Sequence, residues 1–572
     1  MYNSVQKYTL IMYLYTHTEN SNSALLDMDV YSLPKKNKTV SIYPAVPRNT
    51  RDVPFDIYDY DMLFRDPQTL ELMRSGNTIG CFYIESPGMR SLLKRLSVDT
   101  FEMLTAASSI IRPGVAESGM MQEFIDRHKD PSKRKYLLPE MEEILGETYG
   151  VMIYQEDVIK VAHHVAGLSL EEADLLRRAM SGKMRSHTAM QQLNDRFFES
   201  CSARGLSDTA AEELWRQIES FAGYAFCKAH SASFALLSFQ VAFLKAHYPA
   251  EFISSVLSNQ GGYYSAAVYI QEARRMGLTV KHPSVNESMY EYKGRGNEVR
   301  VGFLAIKNFS ADTAERIVAE RRNNGRYVSL ADFLVRTHAG YEETALLIRC
   351  GAMDEFRQTR PTLMRLLDIY VKRRHILDDS YNDLFMNESF QMEKDAVTQR
   401  NYSLEEICVI EYETLGYMLT RHPLEFFDSY ISDPDVIKAG HMHKYRGKKV
   451  KMIGWYMASK RIKTKKGEIM KFLSLEDLTG TFEAVLFPAA YSRYAESTLS
   501  MGPYLLEGRI DGKDTTNLIV EKLEVVISPR VRSVTQKDSA ENKYFGDVEK
   551  ISEEEFSLVG SLDREELQRA YL

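Results

Sequence analysis

Paired cysteines, long apolar runs and a strong net charge are all absent from this sequence, and each absence excludes a class of protein. The five cysteines include no CxxC pair, which argues against a disulfide framework or a zinc site and favours a reducing compartment. No apolar run approaches the roughly 20 residues that cross a bilayer, and the start lacks the basic lead and cleavage site of a signal peptide. We therefore expect a cytoplasmic protein without a membrane span.

Composition limits the architecture and the kind of partner. A chain of 572 residues is too long for one core and should divide into several domains. Hydrophobic residues at 44% and charged residues at 26% are ordinary for a globular protein. Because the formal net charge is -7, any nucleic-acid surface must be a local basic groove on an acidic body.

Helical patterns dominate residues 56–261, whereas residues before about 55 show little periodicity. Ser169 and Glu172 form a capping box, which predicts a helix over 170–180 that ends near Gly182. Apolar residues at helical spacing predict a long helix over 232–246. Pro249 then suits the first turn of a third helix.

Cations and aromatic rings are interleaved in two of these helical segments. A site for a nucleoside triphosphate needs Lys and Arg heads that converge from a rigid surface, and rings nearby can stack a base. The alternative is a solvated basic helix end beside an ordinary aromatic core. The cations are Arg177, Arg178, Lys183, Arg185, Lys228 and His230, and the rings are Phe221, Tyr224, Phe226 and Phe234.

Residues 147–182 and 221–252 together resemble the fingers of the bacterial DNA polymerase III alpha subunit, the C family of DNA polymerases. Residues 79–96, 106–128 and 413–423 resemble further family segments, in family order. The resemblance implies a DNA-directed DNA polymerase that binds dNTP and primer-template, in bacterial replication or translesion synthesis. It implies nucleotide contacts by the cations above, and DNA contacts by Arg112 and Gly114 in an RPG turn.

One stretch departs from the family pattern. Where typical members read FNKSH, residues 226–230 read FCKAH, so Cys227 replaces Asn and Ala229 replaces Ser. Lys228 and His230, which can meet phosphate, are kept. This mixture is closer to secondary or error-prone paralogues than to the main replicase.

A smaller helical unit near Val301 resembles a helix-hairpin-helix, whose backbone N–H groups bind DNA phosphates. Gly302 is kept and Lys307 supplies a cation, but Ala305 and Asn308 stand where glycine is usual. A purely structural helix pair is the alternative.

The pattern changes to alternating strands between about residues 448 and 526. Five short strands joined by turn sequences predict a small barrel of the OB type. Trp455, Tyr456 and Phe472 are candidates to stack bases. The alternative for the cations near them is an ordinary basic loop, which is common on any barrel. The cations crowding one strand connection, which we predict to contact single-stranded DNA, are Lys460, Arg461, Lys463, Lys465 and Lys466.

Sliding-clamp binding in this family uses a short peptide that ends Leu-Phe. Leu384 and Phe385 lie in the correct interval, with Tyr381 where Gln is usual. These two anchors can fill a clamp pocket, or they are a chance Leu-Phe in an amphipathic helix.

The resemblance also implies a palm, whose Asp-x-Asp pair and third Asp hold two Mg²⁺ ions. In the family these carboxylates precede the fingers, and we expect this chain to lack them. The pairs at residues 27 and 29 and at residues 59 and 61 have the spacing but not the surrounding strand motif. We therefore expect no catalytic carboxylate and no metal ligand here. The chain would then be active only if a separate polypeptide supplies the palm, and otherwise not at all.

The predicted fold is a multidomain, mostly α protein followed by a small all-β OB-type barrel. The leading hypothesis is a polymerase alpha-subunit portion, and the alternative is a non-catalytic DNA-binding or clamp-associated protein that reuses these modules. The predicted division is an unassigned lead segment (1–55), a fingers domain (56–285), a helix-hairpin-helix region (286–372), a linker and clamp-binding region (373–446), an OB-fold domain (447–527) and a charged tail (528–572).

Overall fold

The structure is a computed structural model that describes residues 56–111, 119–179, 187–222, 226–372, 398–464, 466–511 and 516–526. These residues fall into two compact units, which divide between His247 and Tyr248. Within the described ranges, no helix is long and apolar enough to cross a membrane.

Helices build the first unit. A turn of π-helix over Val161–Val165 follows α7 without a break. In chain order the helices are α1 (Tyr60–Arg65), α2 (Pro67–Arg74), α3 (Pro87–Leu96), α4 (Phe101–Ile110), α5 (Met120–Lys129), α6 (Glu140–Leu145), α7 (Gln155–Lys160), α8 (Leu170–Arg178), α9 (His187–Ala203), α10 (Asp208–Ala222) and α11 (Lys228–His247).

The predicted capping box starts α8. Ser169 Oγ accepts the N–H of Glu172 at 3.2 Å, and Glu172 Oε2 accepts the N–H of Ser169 at 2.8 Å. Two of the four amides that a helix start leaves without partners are thereby satisfied. The helix ends at Arg178 with Ala179 as its C-cap, and Met180, the last residue of the predicted helix, lies outside the described residues. The predicted helix over 232–246 is confirmed as the main part of α11.

One apolar core joins α6 to α10. It includes Met152, Val158, Leu176, Phe197 and Leu214, each at most 1% exposed. Trp215 packs against it and meets the ring of Phe197 edge-on, with centroids 5.1 Å apart. Burial of this apolar surface holds α7 and α8 on a common base.

The second unit begins with helices, and a three-stranded sheet of order β1–β3–β2 follows them. Pro249 opens α12, as predicted. The elements are α12 (Pro249–Ser258), α13 (Ala266–Arg275), β1 (Thr279–Lys281), β2 (Lys293–Arg295), β3 (Glu298–Arg300), α14 (Ala311–Asn324), α15 (Leu330–Thr337), α16 (Tyr341–Arg349), α17 (Arg360–Lys372), α18 (Leu404–Leu415) and α19 (Asp428–Ile431).

The predicted strands form a closed barrel of order β4–β5–β6–β8–β7, so the OB-type prediction is confirmed. The barrel core includes Met452, Leu473, Leu475, Tyr504 and Leu518, none of which is exposed. The barrel elements are β4 (Lys449–Lys463), β5 (Ile469–Glu476), β6 (Thr481–Leu486), α20 (Pro488–Tyr494), β7 (Tyr504–Ile510) and β8 (Leu518–Val525).

A buried ion pair joins α13 to the barrel within this unit. Arg275 Nη1 donates to Glu476 Oε2 at 2.7 Å, and Arg275 Nε donates to Glu272 Oε2 at 3.0 Å. The Arg275 and Glu476 side chains are 19% and 3% exposed. Losing Arg275 would leave the buried Glu476 carboxylate without this ion pair, which costs several kcal/mol.

Candidate nucleotide and DNA interface

The two segments that the sequence singled out meet at a short parallel bridge between Tyr154 and Phe226. The N–H of Gln155 donates to the Phe226 carbonyl at 2.9 Å, and the N–H of Phe226 donates to the Ile153 carbonyl at 3.1 Å. The start of α7 is thus fixed beside the start of α11, although the two lie far apart in sequence.

Glu156 caps the start of α11. Its two carboxylate oxygens accept the backbone N–H of Lys228 at 3.1 and 3.0 Å, and Cys227 Sγ lies 3.6 Å from Oε1. A carboxylate at a helix N-terminus satisfies an open amide and complements the helix dipole. Glu156 therefore orients the segment that carries Lys228 and His230.

The Lys228 ammonium has both an acidic and an aromatic neighbour. Nζ lies 2.5 Å from Glu147 Oε2 and 5.2 Å from the centroid of the Tyr154 ring. Both side chains of the ion pair are more than one-third exposed. A pair this exposed contributes at most about 1 kcal/mol, so a phosphate can compete for the lysine.

His230 lies between two rings on the exposed start of α11. Its ring meets Phe226 and Phe234 edge-on, with centroids 5.1 and 4.4 Å apart. Phe234 in turn stacks on Tyr83 at 5.2 Å. The side chains of Phe221 and Tyr224 lie outside what the structure describes.

Arg177 and Arg178 are held by one carboxylate but differ in exposure. Arg177 Nη2 donates to Asp174 Oδ1 at 2.7 Å, and Arg177 Nη1 donates to Gln155 Oε1 at 3.1 Å. Arg178 Nη2 lies 2.6 Å from Asp174 Oδ2, and its side chain is 60% exposed against 17% for Arg177. The Arg177 hydrogen bond, despite some desolvation, holds the pKa of Asp174 below its usual value.

Arg177 and Lys228 are therefore joined through adjacent residues of α7. Gln155 contacts Arg177, and Glu156 contacts the backbone of Lys228. The structure thus brings together four of the six predicted nucleotide-binding residues. Lys183 and Arg185 lie outside the described residues, as do Arg112, Gly114, Leu384 and Phe385.

Sequence reasoning missed the residues that position this surface. Glu147, Gln155 and Glu156 were not singled out, because the search was for cations and aromatic rings, and these three side chains carry neither a positive charge nor a ring. Their signal was their place in the first family-like segment, just before and at the start of α7.

The predicted hairpin has the expected sharp turn. Asn308 adopts a left-handed conformation with φ of 60°, which asparagine tolerates better than most residues and which fits the place where glycine is usual. The N-cap Ser310 makes no side-chain bond to the start of α14, so first-turn amides lack that partner.

Gly302 and Lys307 have contacts within the protein. Gly302 is buried, and a Cβ there would overlap the backbone of Tyr290 and Glu291. Lys307 Nζ donates to the Tyr412 carbonyl at 3.1 Å and lies over the Tyr412 ring, although the residue is exposed. The absence of a side chain at residue 302 is thus explained by internal packing.

The barrel cations lie at the far end of β4 and in the turn that follows. Lys460, Lys463 and Lys466 are exposed and Arg461 is half-buried, whereas Lys465 lies outside the described residues. Lys460 pairs with Phe472 across the β4–β5 ladder, so both side chains share one face.

The two other aromatic candidates pack against apolar clusters. Trp455 contacts the cluster of Cys408, Met418 and Leu424, and Tyr456 packs against the barrel core. Of the three predicted stacking rings, Phe472 is the one that lies beside a cation.

The Asp-x-Asp pair at residues 59 and 61 begins a helix. Asp59 Oδ1 accepts the N–H of Met62 at 3.1 Å as the N-cap of α1. Within the described ranges, no group of three or more His, Cys, Asp or Glu could hold a metal ion. These residues do not fit the Mg²⁺ pair that the resemblance implies, and residues 27 and 29 lie outside the described part of the chain.

Comparison with known families defines the class of the first unit. Residues 45–205 match the model of the bacterial DNA polymerase III alpha subunit finger domain. Residues 277–363 match the helix-hairpin-helix motif. The chain thus combines polymerase fingers with a helix-hairpin-helix and an OB-type barrel.

Three curated relatives are all DNA polymerase III alpha subunits, and each matches most of this chain. The chain is 33% identical to DNA polymerase III subunit alpha of Treponema pallidum (strain Nichols) over 475 residues, 81% of this chain and 40% of that relative. It is 31% identical to the subunit of Staphylococcus aureus (strain COL) over 525 residues, 90% of this chain and 47% of the relative. It is 31% identical to the Bacillus subtilis (strain 168) subunit over 507 residues, 88% of this chain and 44% of that relative.

Across the matched residues the chain belongs to the family of bacterial DNA polymerase III alpha subunits. It spans less than half the length of these relatives.

Proposed function

We propose that this chain is the fingers-to-barrel portion of a DNA-directed DNA polymerase alpha subunit that acts in bacterial DNA replication in the cytoplasm. The observation that carries the proposal is the junction at Gln155 and Glu156, which holds Arg177 and Lys228 on adjoining elements. Phosphoryl transfer depends on positioning and on neutralising the phosphate oxygens, and cations on fixed helices serve both needs.

Within this proposal the two arginines have different roles. Arg178 is the exposed cation and binds the triphosphate of the incoming dNTP together with Lys228. Arg177 is a positioning residue, because its guanidinium is occupied by Asp174 and Gln155. His230 adds an imidazole edge next to two rings, where a sugar or base can pack.

The second unit contributes the DNA contacts. We propose that backbone amides at the Lys307–Ser310 hairpin bind a phosphate, and that Lys460 and Phe472 hold single-stranded DNA at the barrel. Hairpin amides and a barrel face with a cation beside a ring are established ways to bind a DNA backbone without reading its sequence.

The palm and the clamp complete the proposal. Magnesium-dependent transfer requires the carboxylates of a palm, and the described residues hold no group of three or more His, Cys, Asp or Glu that could supply a metal site. Leu384 and Phe385 are proposed to bind the sliding clamp. The Cys227 and Ala229 replacements favour a secondary, translesion role.

Primer extension tests the proposal. The full chain is assayed alone and with a polypeptide carrying the palm of a related alpha subunit, on one labelled primer-template with all four dNTPs and Mg²⁺. We expect primer extension when both polypeptides are present, and no extension by the chain without the palm. Robust extension by these 572 residues alone would show that they supply the catalytic carboxylates themselves, and absence of primer-template binding by the chain would overturn the polymerase assignment.

A fluorescent dNTP titration on the same primer-template tests the nucleotide site independently of turnover. We expect Lys228→Ala to weaken nucleotide binding about tenfold, the effect of one charged hydrogen bond. Lys160→Ala, an exposed lysine at the other end of α7, is the matched control. Equal affinities for both variants and the parent chain would contradict the assignment of Lys228.

A further inference from the structure

A basic ridge lies beside the candidate nucleotide site, on residues that no motif singled out. The ridge comprises residues 129–135, in which Lys129, Lys133, Arg134 and Lys135 are all exposed. The one carboxylate in this stretch, Asp130, accepts the N–H of Ser132 at 3.0 Å and its hydroxyl at 2.6 Å. Four exposed cations thus stand together on a chain whose formal net charge is -7.

Tyr149 fixes the ridge to the rest of the unit. The Arg134 guanidinium lies 4.4 Å from the centroid of the Tyr149 ring, and Arg134 Nε donates to the Arg127 carbonyl at 3.1 Å. His128 Nε2 lies 3.0 Å from the Leu96 carbonyl and must donate to it, so Nδ1 of a neutral imidazole accepts the Tyr149 hydroxyl at 3.0 Å.

Arg127 joins the backbone of the ridge to the backbone at Tyr149. Its Nη1 donates to the carbonyls of Lys135 and Tyr149 at 3.0 and 2.8 Å, and its other terminal nitrogen pairs with Glu123. A Cβ at Gly150 would collide with Arg127 Nη1 and the Lys135 carbonyl. The charge of Arg127 therefore orders the ridge, and the exposed cations are held without having to fold around a ligand.

The ridge also lies close to the candidate nucleotide site. Tyr149, which carries Arg134 on its ring, is two residues from Glu147, and two residues span at most about 7 Å. Glu147 is the partner of the Lys228 ammonium. The ridge and the Lys228 ammonium are therefore both held by side chains of one short segment, residues 147–149.

We propose that the 129–135 ridge binds the phosphodiester backbone of the DNA whose end lies at the nucleotide site, as a separate contact from the hairpin and the barrel. The inference rests on the proposed polymerase function. A linear run of cations on a fixed scaffold matches a linear polyanion, because each neutralised phosphate releases counterions. The contact is independent of sequence, since phosphates carry no base information.

Salt-dependent DNA binding by the full chain tests the ridge. Affinity for a labelled single strand and a labelled duplex is measured by fluorescence anisotropy across a salt series. We compare the parent chain with Lys133→Glu/Lys135→Glu and with Lys160→Glu/Arg216→Glu, a control with the same change in net charge at other exposed positions of the unit. Thermal unfolding checks that each variant folds.

We expect the ridge variant to lose at least tenfold in affinity for the strand type that the ridge binds. The slope of log affinity against log salt should fall by about 1.4 for a single strand or about 1.8 for a duplex, the values for two lost phosphate contacts. The control should keep the parent slope. Which labelled strand shows the loss identifies the strand type.

Three results would overturn the proposal that the ridge binds DNA. An unchanged slope with both strands, while the parent chain binds DNA, refutes the ridge and leaves the polymerase assignment in place. Loss of binding to labelled polyglutamate with unchanged DNA binding would make the ridge a surface for acidic protein. If the parent chain binds neither strand, the proposed function and the ridge fail together. A neutral pair, Lys133→Gln/Lys135→Gln, removes the same two phosphate contacts and should show the same fall in slope.

Discussion

Glu156 holds the backbone of Lys228 with both carboxylate oxygens, at 3.1 and 3.0 Å. This contact places the negative charge of the Glu156 carboxylate, on α7, at the first residue of α11 (Lys228–His247). It makes the position of Lys228 depend on a residue that touches no substrate.

Replacing Glu156 with Ala should destabilise the unit by about 1 kcal/mol, the usual cost of a lost helix cap. Nucleotide affinity should fall as well, because Lys228 is no longer positioned. Glu156→Gln keeps one accepting oxygen and should recover part of both losses. Urea unfolding and a dNTP titration measure them, with Glu171→Ala, an exposed residue in the first turn of α8, as control. A full loss in the Gln variant would show that charge rather than accepting geometry matters.

Arg177 and Arg178 should separate in their effects. Arg178→Ala should weaken dNTP binding about tenfold or more with little change in stability, because its side chain is 60% exposed. Arg177→Ala should lower the free energy of unfolding by about 1–3 kcal/mol, because it removes two hydrogen bonds to Asp174 and one to Gln155 from a side chain that is 17% exposed. Arg196→Ala, an exposed arginine paired with Glu172, is the control. The reverse assignment of the two effects would refute the proposed roles.

Asp157 should make stability depend on pH. Burial raises the pKa of its carboxyl to about 7, against about 3.9 in an unfolded chain. Between these values the folded state holds a proton that the unfolded state has lost, so stability falls as pH rises from about 4 to about 7.

Asp157→Asn removes this titration and keeps an oxygen for the Tyr154 N–H, which now donates at 3.0 Å. Relative to the parent chain, the variant should gain on the order of 2 kcal/mol between pH 5 and pH 8. Urea unfolding at both pH values measures the difference. Parallel pH profiles for the two proteins would show that Asp157 ionises normally.

Gly302→Ala should destabilise the second unit by about 1–3 kcal/mol, because the new methyl group overlaps the backbone of residues 290–291. Gly340→Ala is the matched control, since no atom lies within 4 Å of a Cβ there. Denaturant unfolding tests this in the absence of DNA. A stable Gly302→Ala chain with impaired DNA binding would instead support a direct phosphate contact.

At the barrel, Phe472→Ala should weaken single-stranded DNA binding by about 1–3 kcal/mol, the range for one stacked base. Trp455→Ala should mainly destabilise the fold, because its ring packs in an apolar cluster. Anisotropy with a labelled single strand and thermal unfolding distinguish the two. Equal losses of DNA affinity at both positions would place the binding face elsewhere.

Local signals in the sequence were enough to predict the principal elements. The Ser169–Glu172 box marked the start of α8, and period-two alternation marked the barrel strands, because both depend on neighbours a few residues away. The sequence also singled out Lys228 and Arg178, whose side chains are 37% and 60% exposed, and their role as cations of a site stays a prediction.

The long-range contacts could not be predicted in this way. Glu156 and Lys228 are 72 residues apart, and Arg177 and Gln155 are 22 apart. No periodicity records such pairs, so the sequence did not distinguish the positioning Arg177 from the exposed Arg178. Gly302 is similar, because the backbone that crosses it comes from residues 290–291, which carry no motif.

The Arg275–Glu476 pair, 201 residues apart in sequence, has a consequence for the DNA contacts that we propose for the second unit. Because α13 is pinned to the barrel, the interval between the barrel and the helices before it is set by folded protein, not averaged over a flexible linker. An oligonucleotide too short to reach from the hairpin to the barrel gains no affinity from the second of these contacts. One that is long enough gains the full binding free energy of both contacts. We therefore expect the affinity of the second unit for DNA to rise sharply at one oligonucleotide length, the length that spans both contacts.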